Sequence, residues 1–483
     1  MSEVSFGQRP MLIGSRHPSV DVWRPVHSPF DGRVIGEIPS ANEHDIDDAV
    51  DTARQALSAS EFPTFERAAV LDRAAQYLQA QHETFAQTIS AEAAKPIRTA
   101  RIEASRAIDT VRFSAAVART MHGELVPMNA SAAGHGTWGL VRRRPVGVLA
   151  AITPFNFPLN LVCHKVAPAI AAGCPVVLKP ASATPFSSLL LADLLTEAGL
   201  PPGWLNVVTA PGRVADHLVT HPDVAMITFT GSAAVGWQIR ERAPKKRVSL
   251  ELGNNAPLIV HRDGDWQRAV DGVKTAGFAH AGQSCISTQR IYVHETIAEP
   301  FIERLVANVG ALKLGDPSDE STDVSTLIDQ GETDRVQSWI GEAADEGADV
   351  LIGGGRLGRL LEPTVLSGIL PGMKVSDREV FGPVVGVATY SDLDAALRLA
   401  DDSVYGLQAA IFTADIDTAF YAADRLHYGG VLINEMPTWR ADQMPYGGDR
   451  DSGNTREGPA WAARSMTEEQ LIVIRQNKPP LDL

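Results

Sequence analysis

The sequence predicts an α/β fold with two domains that are each built on a mainly parallel sheet. Short apolar runs rich in valine and isoleucine alternate with amphipathic stretches of about 10–15 residues. This alternation runs through two cycles that meet near residue 250. Strands separated by such helices form βαβ units, and a chain of 483 residues has room for two or three domains.

Helical patterning dominates residues 44–120, before the first cycle. Alanine and leucine recur at helical spacing in "HDIDDAVDTARQAL" and "FERAAVLDRAAQYLQAQHETFAQTISAEAA". Pro96 marks a helix end, and "RTARIEASRAIDTVRFSAAVART" continues the helical period beyond it. We therefore expect a mainly helical N-terminal segment.

The first cycle opens with "WGLVRRRPVGVLAAIT" (138–153), an alternating run rich in β-branched residues. Its later strands are predicted at "CPVVLK", "LNVVTA", "MITFTGS" and "RVSLELG", with helices between them. The second cycle opens with the helical stretch "WQRAVDGVKTAGFAHAG" and continues through strands at "QRIYVHE", "GADVLIGG", "PVVGVATY" and "QAAIFT".

Composition and charge exclude several classes of protein. The net charge of −15 and the pI near 5.3 argue against nucleic-acid binding, which needs a basic surface. No run of 18 or more apolar residues predicts a membrane span, and "MSEVSFGQRP" lacks the pattern of a signal peptide. We expect a cytoplasmic protein that binds neither nucleic acid nor membranes.

The chain has three cysteines, of which Cys285 is the candidate functional residue. Cys163, Cys174 and Cys285 are too widely spaced for a disulfide framework or a zinc pattern, so we expect reduced thiols and no metal. Cys285 lies in "AGQSCIST", among small and polar neighbours. The residues alone leave open whether Cys285 fills a core or attacks a substrate.

Four other motifs place polar residues at predicted strand ends or in loops. Glu251 in "SLELGNN" suits a base of raised pKa or a buried, paired glutamate. Asn156 in "ITPFNFPLN" suits an oxyanion donor or a turn cap. Lys179 ends "PVVLK", where a parallel sheet binds ligands, unless it is a surface lysine. Gly231 and Ser232 in "GSAAVG" favour an anion at a helix N-terminus or form a plain turn.

Six segments in this order are highly specific together: "PFNFP", "KP", "TFTGS", "LELGNN", "GQSC" and "EVFGPV". They resemble the aldehyde dehydrogenase superfamily in its NAD(P)-dependent, non-phosphorylating form, and the likeness covers nearly the whole chain. The resemblance implies two Rossmann-like parallel-sheet domains and a small β oligomerisation arm, in a homodimer or homotetramer. It places the cofactor-binding domain at 1–118 and 141–252, the catalytic domain at 253–448, and the arm and tail at 119–140 and 449–483.

The resemblance also implies a reaction. Cys285 matches the nucleophile, Glu251 the general base, and Asn156 one half of the oxyanion hole, with the Cys285 backbone N–H as the other half. An aldehyde then forms a thiohemiacetal and, after hydride transfer to NAD or NADP, a thioester that water hydrolyses. A CoA-acylating enzyme is an alternative that Glu251 disfavours. A non-catalytic structural member is another, which the retention of all three residues disfavours.

Cofactor residues follow from the same resemblance. Glu379, with Phe381 beside it, matches a nicotinamide-ribose contact, and Lys179 matches an adenosine-ribose contact. Ser182 stands where NAD-preferring members often carry a glutamate; with Lys179 and Arg213 nearby, this predicts that NADP is accepted and NAD is also usable. The expected cofactor residues are Thr153, Phe155, Lys179, Ser182, Arg213, Gly231, Ser232, Glu379 and Phe381.

The stretches "AKPIRTARIEASRA" and "AGQSCISTQRIYVHE" look most like the branch that contains lactaldehyde, phosphonoacetaldehyde and non-phosphorylating glyceraldehyde-3-phosphate dehydrogenases. A small hydroxy-, phospho- or phosphonoaldehyde is therefore the expected substrate. Arg106 matches a helix position that faces the substrate tunnel, with a structural arginine as the alternative. Thr438 and Arg440 lie on the loop that closes the tunnel. Asn254 and the "REG" at 456–458 depart from the usual family pattern.

Overall fold

The computed structural model describes residues 5–18, 22–59 and 61–476. The strands in this part of the chain are β1 (Trp23–His27), β2 (Val34–Pro39), β3 (Glu124–Val126), β4 (Thr137–Pro145), β5 (Val148–Ile152), β6 (Val176–Lys179), β7 (Leu205–Val207), β8 (Val224–Thr230), β9 (Arg247–Glu251), β10 (Pro257–Val260), β11 (Arg290–His294), β12 (Asp349–Ile352), β13 (Arg356–Leu357), β14 (Leu360–Leu361), β15 (Thr364–Ser367), β16 (Val384–Tyr390), β17 (Gln408–Phe412), β18 (Gly430–Ile433) and β19 (Thr467–Arg475). The helices are α1 (Glu43–Ala59), α2 (Thr64–Ala80), α3 (His82–Ala93), α4 (Ile97–Thr120), α5 (Asn160–Ala172), α6 (Phe186–Glu197), α7 (Gly212–Thr220), α8 (Ala233–Arg242), α9 (Trp266–Ala276), α10 (Glu295–Gly310), α11 (Gln330–Asp345), α12 (Lys374–Asp377), α13 (Leu393–Asp401), α14 (Ile416–Ala423) and α15 (Pro459–Ser465). None of these described helices has the length and hydropathy that a bilayer-spanning segment needs.

The first sheet has five parallel strands in the order β7–β6–β5–β8–β9. The chain extends this sheet on one side of β5 and then on the other, so its switch point lies between β5 and β8. Ligands of such sheets bind outside the carboxyl ends of the strands at this point. Every residue of β5 is buried, because apolar clusters cover both faces of the sheet.

The second sheet has the order β12–β15–β16–β11–β10–β17–β18, and only β12 runs antiparallel to its neighbour. The loops that enter β10, β11 and β16 carry Gly253, Cys285 and Glu379. These three residues line one cavity with Thr153 and Thr230 from the first sheet. The carboxyl edge of the first sheet therefore meets the amino edge of the second, and this junction positions the candidate site.

A third, antiparallel sheet has the order β19–β4–β3. Strands β4 and β19 pair along their whole length, from Thr467 opposite Pro145 to Arg475 opposite Thr137. Several of its large apolar side chains are exposed to solvent: Leu125, Trp138, Leu140, Leu471, Val473 and Ile474. This sheet corresponds to the small β arm that the resemblance implies.

The predicted α/β class is confirmed by these sheets, but two element boundaries differ from the prediction. The run 138–153 divides into β4, whose side chains vary in exposure and which joins the third sheet, and β5, which is wholly buried in the first. The helix predicted to reach Gly282 ends at Ala276. His280 and Ala281 then adopt left-handed backbone angles, with φ of 50° and 54°, which an α-helix does not tolerate.

Candidate active site

A cavity of about 1030 Å³ lies where the carboxyl ends of β5, β6 and β8 meet the loops of the second sheet. Asn156 and Cys285 line this cavity. The residues expected to bind the cofactor line it too: Thr153, Phe155, Lys179, Ser182, Arg213, Gly231, Ser232, Glu379 and Phe381. The structure thus brings together the residues that the sequence grouped, while their individual roles stay predictions.

The N-terminus of α8 lies at this cavity and is suited to bind an anion. Ser232 is the N-cap residue, and its side chain makes no capping hydrogen bond, so the N–H groups of the first turn remain available. These N–H groups and the helix dipole favour a pyrophosphate. Residue 231, directly before the helix, has no room for a side chain, because a Cβ there would lie 2.5 Å from the Phe229 ring. This explains the glycine at this position. Lys179 ends β6 at the same edge, and burial lowers its pKa.

Glu379 and two aromatic rings, those of Phe155 and Phe381, also line the cavity. The rings of Phe155 and Phe381 meet edge to face, with centroids 5.9 Å apart. The backbone N–H of Asn254 donates to Glu379 Oε1 at 3.1 Å. A Cβ at Gly253 would collide with the Glu379 carboxylate, which explains the glycine. Desolvation by the surrounding protein raises the pKa of Glu379 to about 7.

Cys285 follows the short turn Ala279–Gly282 and precedes β11. Its Sγ atom lies 2.9 Å from the Tyr446 hydroxyl. Burial raises the pKa of the thiol to about 12, against the hydrogen bond from Tyr446, which lowers it. Asn156 lies close by, because its Nδ2 donates to the carbonyl of Gln283 at 3.0 Å. The Asn156 Oδ1 atom is buried without a hydrogen-bond partner among the described residues.

Glu251 is the last residue of β9, and only 3% of its surface is exposed. Neither carboxylate oxygen has a hydrogen-bond partner in the described part of the chain. Burial raises the pKa of Glu251 well above its ordinary value, and the negative charge of Glu457 raises it further. A buried carboxylate of raised pKa without a partner is suited to take a proton from water.

Glu457 lies in the "REG" segment that departs from the usual family pattern. Its surroundings shift its pKa in the direction opposite to that of Glu251. Burial opposes its charge, but Lys165 and Arg440 outweigh this and lower its pKa to about 2. The Lys165 Nζ and Arg440 Nη2 atoms each lie 3.2 Å from its carboxylate oxygens. Two buried glutamates therefore face one another with pKa values displaced in opposite directions.

The three residues predicted to bind substrate do not line the large cavity. Arg440 is nearly inaccessible, and its guanidinium lies 3.8 Å above the Tyr446 ring. Arg106 donates from Nε and Nη2 to Asp442 at 3.1 and 2.9 Å. Thr438 is half-buried on the same loop as Arg440. Arg440 thus reaches the thiol through Tyr446, and Arg106 contacts the loop rather than the cavity.

Sequence reasoning missed Tyr446, Asp442, Glu457 and Lys165. No short motif marked their contacts, because Lys165 pairs with a residue 292 positions away and Arg106 with one 336 positions away. At the unusual position Asn254, the side-chain Nδ2 donates to the carbonyl of Gln408 at 3.1 Å, so this asparagine ties the loop before β10 to β17. Among the described residues, no group of three or more His, Cys, Asp or Glu is placed to hold a metal ion.

The chain belongs to the aldehyde dehydrogenase family, whose model matches residues 18–472. It is 45% identical to 3-sulfolactaldehyde dehydrogenase of Priestia megaterium over 439 residues, which are 91% of this chain and 92% of that protein. The crystal structure of aldehyde dehydrogenase 21 from Physcomitrella patens, in complex with the reaction product succinate, matches with a TM-score of 0.94 at 39% identity, over 98% of this chain and 99% of that one. NADP-dependent glyceraldehyde-3-phosphate dehydrogenase from Bacillus halodurans, complexed with NADP, gives a TM-score of 0.94 at 34% identity, over 98% and 100%.

These comparisons confirm the predicted family, fold and reaction class: the chain is an NAD(P)-dependent aldehyde dehydrogenase that oxidises an aldehyde to a carboxylic acid. The residues present fit the dinucleotide. The N-terminus of α8 and Gly231 suit its pyrophosphate, Lys179 and Ser182 lie at the same edge of the cavity, and Glu379 lies beside Phe381 near Cys285.

Proposed function

We propose that the enzyme oxidises a small aldehyde with a hydroxyl or anionic group near the carbonyl, through Cys285 as nucleophile and Glu251 as base. The observation that carries the proposal is that Cys285 and Asn156 line one cavity, while the buried, partnerless Glu251 carboxylate ends β9 directly before Leu252 and Gly253 in the wall of that cavity. The 3-sulfolactaldehyde and glyceraldehyde-3-phosphate dehydrogenases to which the chain is similar support this substrate class.

In this proposal, the Cys285 sulfur attacks the carbonyl carbon and gives a thiohemiacetal. The Asn156 Nδ2, which donates to Gln283 in the structure, turns to the developing oxyanion together with the Cys285 backbone N–H. When bound, the dinucleotide supplies the nicotinamide ring that accepts the hydride, which leaves a thioester on Cys285. Glu251 then takes a proton from the water that hydrolyses this thioester, and the acid is released.

The cofactor is proposed to be NADP, with NAD also used. Ser182 adds no negative charge to the cavity wall, and Lys179 and Arg213 line the same cavity. These residues would accept the 2′-phosphate on the adenosine ribose of NADP. The N-terminus of α7, which carries Arg213, adds to the attraction for a phosphate.

We also propose the domain division given by the resemblance, with the arm extended from residue 140 to Pro145 because β4 pairs with β19 up to that residue. A homo-oligomer would assemble through this third sheet. The exposed apolar side chains of β4 and β19 support this, because a patch of this kind marks an association surface. A catalytic thiol without a disulfide partner suits a reducing compartment such as the cytoplasm.

The test is a panel of aldehydes assayed for NAD(P)H formation with wild-type enzyme and with Cys285→Ser. We expect oxidation without added CoA by the wild type and its loss in the variant, since a serine hydroxyl is a far weaker nucleophile than a thiolate. Cofactor binding, measured by fluorescence titration, should stay close to wild type. Near-normal turnover in the variant contradicts the nucleophile assignment, and strict dependence on CoA favours the acylating alternative.

A further inference from the structure

Tyr446 makes a contact with the reacting sulfur that no predicted role accounts for. Its hydroxyl lies 2.9 Å from Cys285 Sγ and is the hydrogen-bond partner of that atom among the described residues. Asn156, which is predicted to form half of the oxyanion hole, donates to the backbone carbonyl of Gln283 and does not contact the sulfur through this hydrogen bond. Cys285 and Tyr446 also pack against three apolar side chains, Ile286, Leu407 and Met444.

The Tyr446 ring is held in place from two directions. Its backbone exchanges hydrogen bonds with that of Glu457, and only 3% of the residue is exposed. The Arg440 guanidinium lies 3.8 Å above the ring centroid and is itself fixed by Glu457 and by contact with His164. A cation over the ring is attracted to its face and withdraws charge from the phenol, which strengthens the hydroxyl as a donor.

We propose that Tyr446 is a catalytic residue, whose hydroxyl donates a hydrogen bond to the Cys285 thiolate and aims the sulfur at the substrate carbonyl. The thiolate forms when the thiol gives its proton to solvent water, and Tyr446 keeps its own proton throughout. Once the sulfur bonds to carbon it carries no charge and accepts hydrogen bonds weakly. This inference rests on the proposed role of Cys285 as nucleophile.

The charges around the pair are consistent with this role. Burial raises the pKa of the Cys285 thiol, and the charges of Glu379 and Glu251 act in the same direction, whereas Tyr446 and Arg440 lower it. Burial raises the pKa of the Tyr446 phenol well above its ordinary value, with Cys285 and Glu251 adding to the rise against Arg440. The phenol therefore stays protonated in the working range and remains a donor.

The experiment measures the rate of Cys285 alkylation by iodoacetamide over the neutral to alkaline range, without cofactor or aldehyde. Tyr446→Phe keeps the ring and removes the hydroxyl. If loss of the hydroxyl raises the pKa of the Cys285 thiol by about one, the thiolate fraction at a given pH falls about tenfold. A thiolate of higher pKa is also more nucleophilic, which offsets part of this fall. We therefore expect alkylation about threefold slower along the rising limb of the pH profile. A monofluorinated tyrosine at position 446, which is a stronger donor of nearly the same shape, should speed it.

Tyr390→Phe is the matched control. Tyr390 is also buried and its hydroxyl also makes a hydrogen bond, 3.0 Å from His261, but it ends β16 at the edge away from the site. Cys285→Ser reports background labelling. A Tyr446→Phe profile that superimposes on the wild type, or an equal change in Tyr390→Phe, overturns the proposal for Tyr446. Aldehyde oxidation that persists in Cys285→Ser overturns instead the function on which it rests, so the two failures are distinguishable.

Discussion

Replacement of Arg106 by alanine should change the stability of the protein and its binding of substrate, and the two effects can be measured independently. The Asp442 carboxylate accepts from Arg106 twice, from Asn160 Nδ2 at 3.1 Å and from His164 Nε2 at 2.9 Å. Burial opposes the Asp442 charge, but His164 and Arg106 outweigh it and hold its pKa well below the usual range. Arg106→Ala therefore leaves a nearly buried carboxylate with half of its hydrogen bonds.

The magnitude follows from those contacts. A hydrogen bond to a charged group contributes about 1.5–3 kcal/mol. The Arg106 side chain is 24% exposed, so water replaces part of what is lost. We expect Arg106→Ala to lower the free energy of unfolding by about 2–3 kcal/mol, as measured by denaturant titration. Asp442→Asn in the same background removes the stranded charge and should restore most of this loss.

Substrate binding separates the functional interpretation of Arg106 from the structural one. If the remaining N–H groups of Arg106 reach an anionic aldehyde, Arg106→Ala raises KM for that aldehyde about ten- to a hundredfold. It should leave KM for a neutral aldehyde of similar size nearly unchanged. Asp442→Asn alone frees the guanidinium and should lower KM for the anionic aldehyde. Equal effects on both aldehydes, or no effect of Asp442→Asn, would show that Arg106 is structural.

Three further predictions concern the base, the cofactor and the arm. Glu251→Gln should give a burst of NAD(P)H and then a stalled steady state in stopped-flow assays; equal slowing of both phases would refute the role. Because the pKa of Glu251 is raised, wild-type deacylation should increase as the pH rises above the usual carboxylate range, and the variant should lose this increase. Ser182→Glu should shift the ratio of kcat/KM toward NAD, and a wild-type preference for NAD beyond about a hundredfold contradicts the cofactor proposal. Leu471→Glu on exposed β19 should reduce the oligomer mass in light scattering, with Glu468→Gln on the same strand as control.

The sequence predicted those parts of the site that lie in short contiguous motifs. Asn156 follows β5 and Glu251 ends β9, and parallel topology brings the carboxyl ends of these strands to one edge of the first sheet. Cys285 precedes β11 of the second sheet, so it joins them only because the two sheets meet there. The cofactor residues were grouped by the resemblance to the aldehyde dehydrogenase superfamily. The direction of the strands was less predictable. The edge strand β12 runs antiparallel to β15, although its sequence is a short apolar run like those of the parallel strands.

Contacts between distant segments could not be read from the sequence. Tyr446 lies 161 positions from Cys285, and nothing in "MPYGG" shows that the ring turns toward the thiol. The pairing of Arg106 with Asp442 could not be predicted for the same reason. Helix periodicity gives the direction of the arginine side chain, but the tertiary fold determines which loop meets it. Such contacts depend on side-chain packing between elements, which local patterning does not specify.

The opposite electrostatic settings of the two buried glutamates support Glu251, and not Glu457, as the proposed base. Glu457 has two cations at 3.2 Å and keeps its charge, which makes it a poor proton acceptor. Glu251 has no partner and lies near that charge, so its carboxylate gains affinity for a proton. Groups whose environments displace their pKa values in opposite directions divide such tasks in enzymes. In the proposed role, Glu251 would supply the base that hydrolysis of a thioester by water requires, whereas transfer to a thiol acceptor such as CoA has much less need of one.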